Sequence, residues 1–177
     1  MKTLLHICCA NCAIFPVKTL REEGKELTGF FFNHNIHPYQ EFRRRLETVH
    51  QYAEQVALPL ISNDDYALDE FLANVAADPA RRCIYCYHSR LEVTARYAAE
   101  HGFDAFSTSL LYSRYQQHEV IRASGETIAR RYGVDFLYED FRTGWQEGIV
   151  VSKAMGLYRQ QYCGCIYSER DRYLKAG

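Results

Sequence analysis

A chain of 177 residues, 47% of them hydrophobic and 24% charged, is long enough for one buried core and short for two independent domains. We therefore expect a single domain over residues 1–177. The 21 basic and 22 acidic residues give a formal net charge of −1, which excludes a surface that is basic overall. Any contact with a polyanion must then come from a local patch of arginine and lysine.

Short apolar runs alternate with amphipathic segments along the whole chain. In chain order, the pattern predicts a strand at 3–8, a helix at 13–23, a strand at 27–32, a helix at 39–56, a strand at 58–62, a helix after Asp65, a helix at 84–101, a strand at 104–110, a helix at 116–132, a strand at 134–138, and helices at 146–158 and 165–175. This alternation predicts a doubly wound α/β fold with a mostly parallel five-stranded sheet.

The carboxyl ends of the strands are where such a sheet binds its ligands. Cys8, Cys9 and Cys12 follow the first predicted strand and open the helix after it. A nucleotide-binding protein would have a glycine-rich phosphate loop there, and this chain has Cys-Cys-Ala-Asn-Cys instead. We expect sulfur ligands at this position and no phosphate cradle of the usual kind.

The start of the chain loosely resembles an export signal, because Met1-Lys2 precedes a short apolar run that reaches Cys8. The run contains His6 and is shorter than the roughly 7–15 apolar residues of such signals. The sequence has no other long apolar segment, so we expect no membrane span and a cytoplasmic protein.

Cysteine is the unusual feature of the composition. Seven cysteines stand in three groups, at Cys8, Cys9 and Cys12, at Cys83 and Cys86, and at Cys163 and Cys165. An odd number at close spacing is a poor disulfide framework, so a metal site or redox chemistry is the better interpretation. An iron–sulfur site is favoured over a structural zinc, which needs only four thiolates, and over a thiol redox enzyme without metal.

Two finer expectations concern how these thiols are arranged. Side chains of adjacent residues tend to diverge, which predicts that Cys8 and Cys9 serve different centres. The four thiolates of the cluster would then come from Cys83, Cys86, Cys9 and one of Cys163 or Cys165. Because Cys83 and Cys86 begin a helix, we also expect the helix N-terminus to lower their thiol pKa values.

Several ordered motifs resemble those of the QueH family, and the resemblance covers nearly the whole chain. The motifs are Cys8-Cys9-Ala10-Asn11-Cys12; residues 33–38 with Glu41 and Arg45; Cys83-x-x-Cys86 with Arg90; residues 107–111 with Ser113; and residues 158–165. Two positions depart from the family pattern. Asn11 stands where the family usually has proline, and residues 33–36 read Asn-His-Asn-Ile where it usually has Asn-Pro-Asn-Ile.

The resemblance implies a cobalamin-independent reductase that converts epoxyqueuosine to queuosine at the wobble position of tRNA. It implies a HUP-like fold, related to adenine-nucleotide hydrolases, with cysteines at the carboxyl ends of the strands. The implied cofactors are a [4Fe-4S] cluster and a neighbouring mononuclear metal, with iron favoured. The implied partners are the anticodon arm of tRNA and an external low-potential electron donor.

Roles for particular residues follow from this chemistry and from their positions beside the cysteines. All seven cysteines are expected to be metal ligands, and the expected proton donors are His34, His37 and Tyr162. The expected substrate-binding residues are Asn33, Asn35, Arg81, Arg82, Ser109, Arg159 and Gln160.

Simpler interpretations remain open at this point. They are a satisfied core histidine (His6), surface histidines (His34, His37), a helix-surface ion pair (Glu41, Arg45), a solvated basic face (43–45) and an anchoring aromatic (Trp145). For the whole chain, the alternatives are a zinc-stabilised module that binds a nucleotide or RNA without chemistry, and an ATP-dependent enzyme resembling tRNA thiolases. The second alternative requires a phosphate-binding loop after the first strand, which Cys8 to Cys12 do not supply.

Overall fold

The computed structural model describes residues 1–174 and is built on one five-stranded sheet. Its strands are β1 (Lys2–His6), β2 (Glu26–Phe31), β3 (Leu60–Ser62), β4 (Ala105–Thr108) and β5 (Asp135–Phe136). The strand order is β3-β2-β1-β4-β5, and every neighbouring pair is parallel. The predicted doubly wound α/β sheet is confirmed, and its strand order reverses between β1 and β4.

Helices cover both faces of the sheet. They are α1 (Ala10–Glu22), α2 (Tyr39–Gln55), α3 (Leu68–Val75), α4 (Arg82–Glu100), α5 (His118–Tyr132), α6 (Trp145–Ala154) and α7 (Ile166–Tyr173). Helices α4 and α5 pack together against β1, β4 and β5, whereas α1 packs against α2 and α6 on the opposite face. Leu4, Leu5, Phe31 and Phe106 are fully buried between these layers, so the strands are apolar on both sides.

The connection between β1 and α1 is shorter than the sequence pattern predicts. β1 ends at His6 instead of Cys8, and α1 begins at Ala10 instead of residue 13. Ile7 still donates to the carbonyl of Phe30 at 2.8 Å, after which the chain turns and Cys9 becomes the N-cap of α1. Cys12 therefore lies in the first turn of the helix, directly beyond the carboxyl end of β1.

The later elements also differ from the predicted bounds. β3 and β5 are shorter than expected, and α6 ends at Ala154 instead of continuing to residue 158. Gly156 ends α6 because it takes a left-handed conformation, with φ of 66°, and the amide of Leu157 then donates to the carbonyl of Ser152. The predicted helix at 165–175 is observed as α7, and Lys175 lies outside the described residues.

Three loops and two helix ends meet at the carboxyl edge of the sheet. Residues 7–12 follow β1, residues 32–38 follow β2, and a 3₁₀ turn at Ser109–Tyr112 follows β4. The N-termini of α4 and α7 reach the same edge and carry the remaining cysteines. Within residues 1–174, no helix has the length and apolar character needed to cross a membrane.

Candidate functional site

Cys8, Cys9 and Cys12 form one compact group of thiols. Their three Sγ atoms lie within 4.8 Å of one another, and those of Cys8 and Cys9 are 3.9 Å apart. The expectation that the adjacent Cys8 and Cys9 side chains diverge is therefore wrong. Both residues lie in the short connection where the chain turns from β1 into α1, and Cys9 is the N-cap of that helix.

The electrostatics of this group favour one thiolate beside two thiols. Hydrogen bonds from the thiols of Cys12 and Cys9 hold the pKa of Cys8 well below its usual value. Burial raises the pKa of Cys9, and the bond to Cys8 raises the pKa of Cys12. The Ser109 hydroxyl donates to Cys8 Sγ at 3.4 Å, which further stabilises the thiolate.

Cys83, Cys86, Cys163 and Cys165 form a second group. Cys83 and Cys86 lie in the first two turns of α4, and Cys165 is the N-cap of α7, where its sulfur accepts from the Ser168 amide at 3.4 Å. Cys86 and Cys165 share a small buried cluster with Phe71. The charges of Cys83, Cys163 and Cys165 all act on Cys86, so the two distant pairs are neighbours. Within residues 1–174, only the first group has three sulfurs within 4.8 Å of one another.

The thiol pKa values in the second group are opposite to the sequence-based expectation. Burial raises the pKa of Cys83, and neighbouring Cys163 raises it further. Burial also raises the pKa of Cys86 to about 12. Loss of hydration and repulsion among nearby thiolates outweigh the helix dipole, so the expected lowering of these pKa values by the N-terminus of α4 is wrong.

A buried ion pair fixes the segment that carries Cys163. Arg45 Nε donates to Glu41 Oε1 at 2.7 Å, and its other two nitrogens donate to the carbonyls of Cys163 at 2.6 Å and Tyr162 at 2.9 Å. The side chains of Arg45 and Glu41 are only 2% and 9% exposed. The interpretation of this pair as a helix-surface contact is wrong, because residues 158–165 cover that face of α2. The Tyr158 hydroxyl also donates to Glu41 at 2.7 Å. We call Glu41, Arg45 and Tyr158 the α2 clamp.

His34 and His37 are buried, so their interpretation as surface residues is wrong. The Nε2 atom of His34 lies 3.1 Å from Ser89 Oγ, and burial lowers the pKa of His34 to about 3. His37 uses both ring nitrogens, since Nε2 meets the carbonyl of His34 and Nδ1 accepts from the amide of Ile166. Burial lowers the pKa of His37 to about 4. Both side chains are therefore neutral near pH 7 and already hydrogen-bonded.

The interpretation of His6 as a satisfied core histidine is confirmed. Its ring nitrogens lie 2.9 Å from Thr108 Oγ1 and 3.1 Å from the carbonyl of Phe32. The basic run at 43–45 is divided, since Arg44 is exposed over the ring of Tyr158 whereas Arg45 is buried.

A pocket of about 550 Å³ opens onto both cysteine groups. Its wall includes Cys8 and Cys12 from the first group and Cys163 from the second. The other lining residues are Asn11, Arg90, Leu110, Tyr112, Ser113, Tyr115, Gln116, Trp145, Gly148, Ile149, Ser152, Arg159, Gln160, Gln161, Tyr162, Ser168, Asp171 and Arg172. A volume of this size is typical of sites for small organic groups.

The predicted substrate-binding residues divide into those that line this pocket and those that do not. Arg159 and Gln160 line it, as does Tyr162 from the predicted proton donors. Gln160 also donates to Cys9 Sγ at 2.8 Å. The residues outside its lining are Asn33, Asn35, Arg81, Arg82, Ser109, His34 and His37.

Several of the residues outside the lining contact the segments that carry the cysteines. Asn33 donates to the carbonyl of Ile7, and Ser109 contacts Cys8 through its hydroxyl. Arg82 pairs with Asp171 at 2.7 Å. Arg81 is exposed beside a separate, smaller depression.

The sequence interpretation missed the pocket wall formed by Tyr112, Tyr115, Gln116 and Trp145. Three of these residues follow β4, so the rule that ligands bind at the carboxyl ends of strands would have indicated them. Trp145 comes from a distant segment, and no local pattern connects it to the others.

The donor atoms of the two cysteine groups suit a thiophilic metal. Three sulfurs converge in the first group, and the four cysteines of the second group are close enough to repel one another when charged. Thiolates are preferred ligands of iron–sulfur clusters and zinc. Within residues 1–174, the buried amide oxygens of Asn11 and Asn35 also have no hydrogen-bond partner. All seven cysteines are free thiols, so none is used in a disulfide.

A solved structure supports the fold. It is described as a predicted subunit of tRNA methyltransferase from Methanocaldococcus jannaschii, and it matches with a TM-score of 0.59 at 11% identity, over 86% of this chain and 74% of that chain. At this identity the similarity concerns the fold alone.

Curated relatives cover nearly the whole chain. An epoxyqueuosine reductase QueH from Dehalococcoides mccartyi is 40% identical over 98% of this chain and 96% of its own length. Proteins of the same name from Thermotoga maritima and Haemophilus influenzae are 35% and 36% identical, each over 96% of this chain and over 91% and 72% of their own lengths. The family model described as epoxyqueuosine reductase QueH matches residues 3–171. This chain belongs to the epoxyqueuosine reductase QueH family.

Proposed function

We propose that this protein reduces epoxyqueuosine to queuosine in tRNA without cobalamin. The main support is the convergence of both cysteine groups on one open pocket in a chain that matches the family over almost its full length. The reaction breaks both C–O bonds of the epoxide, forms a carbon–carbon double bond and releases the oxygen as water. It consumes two electrons and two protons, and we propose an external low-potential donor as the electron source.

The numbers of thiols in the two groups suggest how they divide between metals. A [4Fe-4S] cluster takes four thiolates, and Cys83, Cys86, Cys163 and Cys165 supply four. Cys8, Cys9 and Cys12 would hold a second, mononuclear metal, with iron favoured. When bound, the cluster would supply electrons one at a time and the second metal would act as a Lewis acid toward oxygen.

The residues around the pocket prepare it for this chemistry. Arg90 lines the pocket and Arg45 lies behind it, and they place positive charge close to the thiolates. The α2 clamp holds Cys163, while Gln160 supports Cys9 through a hydrogen bond. Leu110, Tyr112 and Trp145 form an apolar side of the pocket that excludes water from one face of a bound base.

Tyr162 is the best of the three predicted proton donors. It lines the pocket, whereas His34 and His37 lie outside its lining. Burial raises the pKa of Tyr162 to about 12, so the phenol keeps its proton at neutral pH. Its hydroxyl donates to the carbonyl of His37 at 2.5 Å, and this proton would pass to the departing oxygen.

The test is reduction of epoxyqueuosine-containing tRNA by anaerobically purified protein with a low-potential reductant. We expect brown protein with acid-labile sulfide, about four irons and one further metal per chain, and a product nucleoside lacking one oxygen. Tyr162→Phe is expected to slow turnover about 10²- to 10⁴-fold at unchanged iron content.

The contrary result would be colourless protein that contains only zinc after growth with ample iron and leaves the epoxide intact. That outcome would support the zinc-stabilised binding module instead. The proposed tRNA substrate and reducing environment are those of a cytoplasmic protein.

A further inference from the structure

Tyr115 is the most exposed large hydrophobic side chain within residues 1–174, at 84%. It stands on the rim of the pocket, edge-on to Trp145, with ring centroids 5.8 Å apart. On its other side Trp145 stacks with Tyr112, with centroids 5.2 Å apart and planes at 28°. We call these three rings the aromatic platform.

The structure holds the aromatic platform in place. The Tyr112 hydroxyl donates to the carbonyl of Trp145 at 2.8 Å, which ties the turn after β4 to the start of α6. The amide of Tyr115 donates to Ser113 Oγ at 3.2 Å, and the next residue, Gln116, accepts from the Tyr87 hydroxyl at 2.7 Å. A turn constrained in this way presents Tyr115 to solvent at a fixed place beside the pocket.

The charges around the aromatic platform are mainly positive. The Arg114 guanidinium lies 5.6 Å from the centroid of the Trp145 ring, and Arg114 is exposed. Arg159 and Arg172 are exposed on the pocket lining. Among the described lining residues, Asp171 is the single carboxylate, and it is already paired with Arg82 and Arg170. This local surface contrasts with the net charge of −1 for the whole chain.

An exposed aromatic ring next to guanidinium groups has the chemistry of a single-stranded nucleic-acid site. Every base offers a flat face that stacks on an aromatic ring, and arginine pairs with the adjoining phosphate. A surface for another protein would instead offer a wider apolar patch. The platform has one fully exposed ring with basic residues around it.

We propose that the aromatic platform stacks an unpaired base of the tRNA anticodon loop next to the modified nucleotide, while Arg114 and Arg159 contact the adjoining phosphates. The inference rests on the proposed function in taking tRNA as the substrate and the pocket as the site of the modified base. The pocket then holds the modified base, and the platform fixes its neighbour outside. Stacking at the rim keeps the target nucleotide unstacked and directed toward Cys8 and Cys12.

Trp145 makes this proposal directly measurable, because it is the only tryptophan in the chain. The experiment titrates anaerobic holoprotein with an unmodified anticodon stem-loop RNA and follows tryptophan fluorescence, with filter binding as an independent readout. We expect the RNA to quench Trp145. Tyr115→Ala should weaken binding about 5- to 150-fold, whereas Tyr115→Phe, which keeps the ring, should stay within about twofold.

The matched control is Tyr39→Ala, since Tyr39 is also an exposed aromatic, at 54%, and does not line the pocket. It should leave the affinity unchanged. Arg114→Gln and Arg159→Gln should each reduce the slope of log affinity against log salt by about 0.7, the value for one phosphate contact on a single strand.

Two results separate this inference from the proposed function. Wild-type affinity in Tyr115→Ala, in protein that still reduces epoxyqueuosine-containing tRNA, overturns the platform and leaves the reductase activity established. If Tyr115→Ala weakens RNA binding and the wild-type protein does not reduce epoxyqueuosine-containing tRNA, the platform is supported and the proposed reductase activity is overturned. Equal loss of affinity in Tyr115→Phe and Tyr115→Ala would also overturn the platform, because stacking needs the ring and not the hydroxyl.

Discussion

Replacing Arg45 by methionine is expected to destabilise the protein by about 3–5 kcal/mol, the usual cost of removing one partner of a buried ion pair. The Arg45 side chain is 2% exposed and donates to Glu41 and to the carbonyls of Tyr162 and Cys163. In the variant, the Glu41 carboxylate stays buried with only the Tyr158 hydroxyl as a partner. The loss is a large part of the roughly 5–15 kcal/mol that stabilises a typical domain.

A double variant separates the stability of the fold from the position of the cysteines. Replacing Glu41 by leucine together with Arg45→Met removes both charges, and apolar replacement of a buried pair is often close to neutral for stability. The carbonyls of Tyr162 and Cys163 still lose their donors. We therefore expect the metal-free double variant to unfold at nearly the same denaturant concentration as metal-free wild type, and the purified double variant to retain less iron per chain.

The assay is anaerobic denaturant unfolding combined with iron analysis. The matched control is Arg43→Met on the same helix, because its pair with Glu47 is exposed, at 42% and 66%, and should contribute at most about 1 kcal/mol. The reasoning would be refuted by an Arg45→Met protein within about 1 kcal/mol of wild type, or by a double variant with full iron content.

Two further predictions concern the loop of the second cysteine group and the RNA surface. Gly164→Ala should lower the iron content per chain after anaerobic purification. A Cβ at this position would lie 3.1 Å from the carbonyl oxygen of Asn35, so the loop that carries Cys163 and Cys165 would have to shift. An unchanged iron content would show that the loop relaxes freely. Arg159→Ala should weaken RNA binding and its salt dependence more than Arg81→Ala, because Arg159 lines the pocket and Arg81 lies beside the separate depression. The measurement is a series of filter-binding titrations at increasing salt. The reverse order would place the RNA surface at the smaller depression.

The fold was accessible from the sequence because its strands are short apolar runs separated by well-marked helices. Leu4 and Leu5 of β1 and Phe106 of β4 are fully buried, as the continuous apolar pattern indicates. The bounds were less accessible. The short connection through Cys8 and Cys9 depends on where the hydrogen bonds between β1 and its neighbouring strands end, and local propensity does not determine that point.

The site was predictable only as far as the edge of the sheet on which it lies. Sequence spacing places the cysteines at the ends of elements but cannot show that residues 158–165 fold over α2 and bury Glu41 and Arg45. A pair spaced by four residues looks the same on an exposed face and under a loop. The burial of His34 and His37 also depends on a distant segment, because Phe71 of α3 packs against both rings.

Asn11 shows how one departure from the family pattern connects two loops. Its side-chain amide donates to the carbonyl of Tyr158 at 2.9 Å and to Gln160 Oε1 at 2.7 Å. Gln160 in turn donates to Cys9, so the first cysteine group is tied to the segment of the second. Proline, which the resemblance described above leads us to expect here, fits the first turn of a helix but has no side-chain donor.

Cys9 provides the sharpest test of how the thiols divide. Sequence reasoning places it with Cys83 and Cys86, whereas its sulfur lies 3.9 Å from that of Cys8 and belongs to the three-thiol group. If the four-thiol group holds the cluster, Cys9→Ser should keep the brown colour and sulfide and lose only the further metal.

Cys86→Ser is the matched variant from the other group, and it should lose colour, sulfide and most of the iron. Both substitutions replace a buried sulfur by a hydroxyl, so general destabilisation would affect them alike, and anaerobic unfolding curves would show it. Iron counting with Mössbauer spectra distinguishes cluster iron from mononuclear iron. A Cys9→Ser protein without its cluster would return Cys9 to the partners that the sequence assigns to it, and it would show that a bound cluster joins thiols which the polypeptide alone holds in two groups.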